Sequence, residues 1–236
     1  MHRFLLPLLL FASCWLTAQS HEQLALTAYL SGQEADWQTA LTATETITDP
    51  KTRLLTRAAY HQEALGVAMG REEPELADRH LDALEEAIDA YWKLDEDSAE
   101  AHARYSALLG FKIARKPMLG MIYGSRASKY ARRAVELDPD HPAALMAITY
   151  NLYYTPEQWG GNKAAALTHI EKAAKNLPAD WRTDYQSLSV LALYGQVLAG
   201  NGQTDAARAV YQKALAAQPD FRYVKRYLLP ELDKAR

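Results

Sequence analysis

A chain of 236 residues that is 49% hydrophobic and 23% charged, with 11 glycines and 10 prolines, has the composition of a folded globular protein. It excludes a collagen-like repeat, an extended disordered chain and a multi-pass membrane protein. The formal charge of −3 argues against a general nucleic-acid binder, which needs a basic face.

The chain opens on Met1-His2-Arg3, which is positive, followed by a nearly unbroken apolar run from Phe4 to Leu16. Ala18-Gln19-Ser20 then places small residues where signal peptidase cuts. This is the pattern of a secretory signal over residues 1–20, so the mature chain is expected to start near His21 in an exported compartment, the bacterial periplasm. Cys14, the only cysteine, stands in Phe11-Ala12-Ser13-Cys14, which resembles a lipoprotein box. Lipidation at Cys14 is therefore the alternative fate of this leader. Beyond it the chain has neither disulfide nor thiol chemistry, and no later run approaches the ~18 apolar residues of a membrane span.

From residue 22 onward helical periodicity dominates and strand signals are absent. Tyr185, Leu188, Leu191, Tyr194 and Leu198, for example, recur every three or four residues and share one face. Breakers such as Ser31-Gly32, Asp49-Pro50, Pro117, Pro139, Pro178 and Pro219 divide the chain. The spacing predicts about eleven helices, over 22–31, 34–47, 51–69, 74–94, 98–115, 120–137, 142–153, 161–176, 181–200, 203–217 and 220–234.

A repeat runs through the C-terminal half. Ala127, Ala134 and Pro139 have the same spacing as Ala166, Ala173 and Pro178, and as Ala207, Ala214 and Pro219. In the last unit, Leu191, Tyr194, Gly195 and Leu198 add a large-large-small-large pattern on the preceding helix. Together these resemble the tetratricopeptide repeat. The resemblance is strongest over 188–221, extends over 127–180 and fades before residue 98. It implies an all-α fold, a right-handed α-solenoid of about five helix pairs with a capping helix over 220–234. The division is then a signal over 1–20, irregular helix pairs over 21–97, and regular repeats over 98–236, all in one elongated domain. Insertions around Arg115 to Gly124 and Tyr154 to Gly161 also resemble small exported bacterial repeat proteins, including periplasmic partners of TRAP transporters.

Catalytic motifs are missing. No His-Glu-x-x-His, phosphate-binding glycine loop or Gly-x-Ser-x-Gly occurs. No two of the histidines at 21, 61, 80, 102, 141 and 169 sit four apart on a helix, so no metal and no cofactor is expected. His61 and Glu63, two apart, should point to different faces. Asp95-Glu96-Asp97 reads as an acidic helix start.

Charge is segregated instead. Residues 72–100 hold twelve acids and two bases, whereas 101–135 hold eight bases and no acid. Either successive helices pair these charges, or Lys112, Arg115, Lys116 and Arg126 form a basic patch around the 117–124 loop for an anionic ligand. Trp159-Gly160-Gly161 beside Lys163 reads as a helix-start device or as an anion nest. The tetratricopeptide resemblance further implies a groove lined from the first helices. Counted from Pro142, the groove positions are Ala143, Met146, Tyr150 and Tyr153. Counted from Leu188 they are Ser189, Ala192, Gln196 and Ala199. The functional expectation is a non-enzymatic scaffold that binds a peptide or partner protein in the cell envelope. The alternative is a carrier of a small anionic solute that works with a membrane transporter.

Overall fold

A computed structural model describes residues 19–94 and 97–234. Residues 1–18 of the leader, Cys14 among them, and the acids at 95 and 96 lie outside the described residues. Within them the chain is all-helical, with eleven α-helices packed as consecutive pairs. These are α1 (His21–Ser31) with α2 (Glu34–Ala43), α3 (Pro50–Gly70) with α4 (Pro74–Trp92), α5 (Ala99–Arg115) with α6 (Gly120–Leu137), α7 (Pro142–Tyr154) with α8 (Lys163–Lys175), and α9 (Tyr185–Gly200) with α10 (Thr204–Ala217). A terminal helical segment ends in α11 (Leu229–Lys234).

The alanine frame packs the second helix of each late pair. Ala127, Ala134, Ala166, Ala173, Ala207 and Ala214 are all buried, so each lets its helix approach its partner to short range. Pro139, Pro178 and Pro219 each follow shortly after the end of α6, α8 and α10, where a missing N–H costs no helical hydrogen bond. In the last pair the approach is closest: a Cβ on Gly195 of α9 would fall 2.1 Å from Tyr211 Cε1 of α10. The terminal segment carries Pro230, which cannot donate to the carbonyl four residues back. Directly before it the helix widens to a π turn over Val224–Leu228, with the Leu229 N–H reaching Val224 O. Phe221, Val224, Leu228 and Leu232 of this segment are buried against α9 and α10, covering the apolar end of the array.

The segregated charges pair between successive elements. Lys112 Nζ meets Glu85 Oε1 at 2.5 Å and Arg115 Nη2 meets Asp78 Oδ1 at 2.5 Å, tying α5 to α4. Arg133 of α6 reaches both carboxylate oxygens of Asp97.

The overall shape departs from the expected elongated rod. The array curls until its first pair meets its last. Tyr29 of α1 lies 5.2 Å from the Phe221 ring and 5.9 Å from the Tyr185 ring, centroid to centroid. Trp37 of α2 and Tyr60 of α3 pack edge-on against the same Tyr185. Arg222 Nη1 donates to Ser31 O at 3.5 Å, a contact between residues 191 apart in sequence. Repeat periodicity encodes how neighbours pack but not how sharply the stack curves, and aromatic residues outside the frame supply the closure.

Candidate functional site

Because the array curls, the inner faces of α3, α5, α7 and α9 converge. They line a partly open cavity of about 640 Å³, within the range of small-ligand sites. Phe111, Ile113 and Leu193 form apolar wall, while Tyr154, Tyr223 and Tyr227 remain exposed at its mouth. Four glycines, Gly66, Gly70, Gly110 and Gly124, lie on the lining, and a Cβ at each would meet no atom within 4 Å. Gly70 ends α3, but Gly66, Gly110 and Gly124 stand inside α3, α5 and α6, where a glycine costs about 0.5–1 kcal/mol relative to alanine. No packing neighbour explains these four, and the space they leave empty belongs to the cavity.

The lining carries one carboxyl, Glu63. It is half-buried on the cavity wall, and desolvation pushes its pKa up to about 7 against the opposing pull of Arg104 and a hydrogen bond from Ser189. Arg104 is itself engaged by Glu100 Oε1 at 2.9 Å and Gln62 Oε1 at 3.3 Å. His61, on the opposite face of α3 as its spacing requires, turns away from the cavity. Its Nδ1 lies 3.0 Å from His80 Nδ1, and His80 Nε2 lies 3.0 Å from Glu34 Oε2. The two histidines are thus a buried link between α2, α3 and α4 rather than scattered surface groups. Burial and the neighbouring His80 lower the His61 pKa to about 3. Among the described residues no group of three or more His, Cys, Asp or Glu is placed to hold a metal.

These two groups give stability opposite pH slopes. His61 refuses a proton down to about pH 3 in the fold, while the unfolded chain accepts one near 6.5, so stability falls as pH drops through that window. Glu63 keeps its proton up to about pH 7 in the fold while the unfolded chain releases it near 4.5, so stability falls as pH rises through that window. Where the windows overlap, slopes of up to ~1.4 kcal/mol per pH unit cancel. His102 and His169, also lowered by burial, add to the His61 slope, so Glu63 offsets only part of the rise in stability with pH. In urea unfolding between about pH 5 and pH 6, Glu63→Gln should gain about 1 kcal/mol more than the native chain does. Equal slopes in the two chains would show that Glu63 titrates as it does in water.

Of the groove positions counted from Leu188, Ser189, Ala192 and Gln196 line the cavity. Of those counted from Pro142, only Tyr150 does. Met146 is buried with Ile170 and Val190 between α7, α8 and α9. Tyr153 packs its ring where a Gly200 Cβ would stand and donates to Gln196 O at 3.4 Å. The wall of α7 is instead Ala147, Tyr150, Asn151 and Tyr154, and a count started one residue later, at Ala143, recovers Ala147, Asn151 and Tyr154 while its second position, Ala144, is buried away from the cavity.

The basic loop residues lie outside the cavity. Lys112 and Arg115 are paired to acids, as above, Arg126 stacks on the Tyr105 ring at 4.9 Å, and Lys116 is exposed. At the second loop, Gly160 adopts φ 95° and a Gly161 Cβ would fall 1.7 Å from Thr155 O, so both glycines are sterically required. Their N–H groups donate to Glu157 O and Pro156 O, which leaves no anion nest there. Trp159 stays exposed, and Lys163 Nζ lies 5.7 Å over the Tyr153 ring. Sequence reasoning did not find the glycine lining, Glu63 as a cavity group, or Arg71 and Arg222, which also line the cavity.

The packing of the last pair decides what this array resembles. Residues 188–221 match the tetratricopeptide repeat. That match runs from the first turn of α9 through α10 to Phe221 and includes the Gly195–Tyr211 contact. No curated protein matches the chain. Eleven helices in consecutive pairs are consistent with a tetratricopeptide-like array throughout the described residues. Tetratricopeptide repeats typically build non-catalytic surfaces for protein partners, and no enzyme family is found for this chain. No helix among the described residues is long and apolar enough to cross a membrane.

Proposed function

We propose that this chain is an exported, non-enzymatic scaffold of the bacterial cell envelope that docks a partner protein through the turn between α5 and α6. One observation carries the reading. Met118, Met121 and Ile122 stand 79%, 72% and 64% exposed at that turn, an apolar cluster that the fold leaves largely uncovered. Isolated exposed apolar residues are ordinary, but contiguous ones mark interaction surfaces. Lys129 and Arg132, both exposed, continue along α6, so the fitting partner presents an apolar patch flanked by acids. The leader over residues 1–20 supports export, with Cys14 as the point of lipidation in the alternative.

Site-specific photo-crosslinking tests the reading. A photoreactive residue at Met121 should capture one envelope protein in cells. The adduct should vanish when Met118 and Ile122 are both serine, and be absent when the probe sits at exposed Thr168. Equal labelling from the two positions would refute the docking site. The mass of the purified chain reports separately on export. Cleavage after Ser20 gives a chain starting at His21, without the Ser20–Gln23 capping box that otherwise starts α1.

A further inference from the structure

The cavity has a charge arrangement that the fold does not satisfy. Arg222 Nη1 reaches Ser31 O, and Arg71 Nη2 lies 3.4 Å from where a Gly32 Cβ would stand, so both guanidiniums flank the peptide that ends α1. Both line the cavity. Among the described residues no carboxylate lies within ion-pairing distance of either, although Arg104, Arg115 and Arg133 each have one. The Nε of Arg222 is buried without any partner. A guanidinium is a planar fork of donors that fits a carboxylate in two-point contact, and leaving its N–H groups desolvated and unmet is costly. The carbonyl end of α1 offers a fraction of a charge as compensation. Glu63 does not supply the rest, since burial favours its neutral form through weakly acidic pH.

Most of the remaining lining is apolar or aromatic, with Gln62, Ser106, Asn151, Thr155, Ser189 and Gln196 as neutral polar groups beside Glu63, and Gly66 and Gly110 hold part of it open. We propose that the cavity binds a small amphipathic organic anion, its head group between Arg71 and Arg222 and its apolar body along Phe111, Ile113 and Leu193. This proposal is independent of the docking surface at Met121, and the two fail separately.

Decanoate is a suitable probe, with decanol as the uncharged and decylammonium as the cationic control. Calorimetry and thermal unfolding of the folded full chain should show binding of decanoate, with a melting shift of several degrees, and at least tenfold weaker binding of either control. Arg71→Gln and Arg222→Gln should each weaken decanoate at least tenfold. Gly110→Leu should abolish binding while circular dichroism and unliganded melting show the fold intact, because its side chain enters empty space. Four outcomes overturn the proposal. Equal affinity for decanol would mean that the cavity reads apolar surface alone. Preference for decylammonium would place the head group at Glu63. Unchanged affinity in the double Arg71→Gln, Arg222→Gln chain would remove the arginines from the site. No binding of decanoate at millimolar concentration would leave them as caps on the end of α1.

Discussion

Gly195→Ala is expected to destabilise the fold by about 3 kcal/mol, the upper end of the overpacking range. For a chain of this length that lowers the melting temperature by roughly 6–12 °C. The added methyl would fall 2.1 Å from a buried tyrosine ring held between α9 and α10, and neither helix can retreat without opening the last pair. The same substitution at Gly110, where nothing lies within 4 Å, should stabilise by about 0.5–1 kcal/mol through helix propensity. One chemical change thus takes opposite signs according to the space above it. Tyr211→Leu in the Gly195→Ala background should recover part of the loss, a coupling that a double-mutant cycle reads directly. Additive costs in that cycle would show that the glycine serves some other purpose.

Tyr185→Ala is expected to cost about 3–5 kcal/mol, as for other large buried aromatics. Its ring is where three elements meet: Tyr29 at 5.9 Å, Trp37 at 6.4 Å and Tyr60 at 5.6 Å, centroid to centroid. The loss should be local as well as global. Hydrogen exchange should show the amides of α1 losing protection before those of α7 or α8, because α1 depends on that contact to hold it against α9. Tyr185→Phe keeps the ring and should retain most of the stability. If the alanine chain melted within about two degrees of the native one, corresponding to less than ~1 kcal/mol, the meeting of first and last pairs would contribute nothing.

The parts of this fold that were legible in the sequence are those set by local spacing. The alanine–alanine–proline frame identified the pairs from residue 127 onward because close helix packing demands small side chains at fixed intervals. Before residue 98 the frame is hidden. In α4 the buried Ala77 is followed seven residues later by Leu84, also buried, and the helix runs on to Trp92 with no proline to end it. A larger side chain performs the same packing there and erases the pattern. The cavity-lining positions of α9 follow the count anchored at Leu188, whereas on α7 the lining is shifted by one residue from the count begun at Pro142. Arg71, Arg222 and the four lining glycines were not legible at all. Their role comes from curvature that brings distant segments together, and no local spacing records it.

Closure has a consequence for how this architecture can vary. An open stack can gain or lose a hairpin at modest cost, since each unit touches only its neighbours and the ends are free. A loop of pairs that bites its own tail has a fixed circumference. Splicing in a sixth pair would pull Tyr29 away from Tyr185 and Phe221, and the cavity would open into a trough. The number of units is thereby set by geometry, and change is confined to the turns that project outward, such as those at Met118 and Trp159.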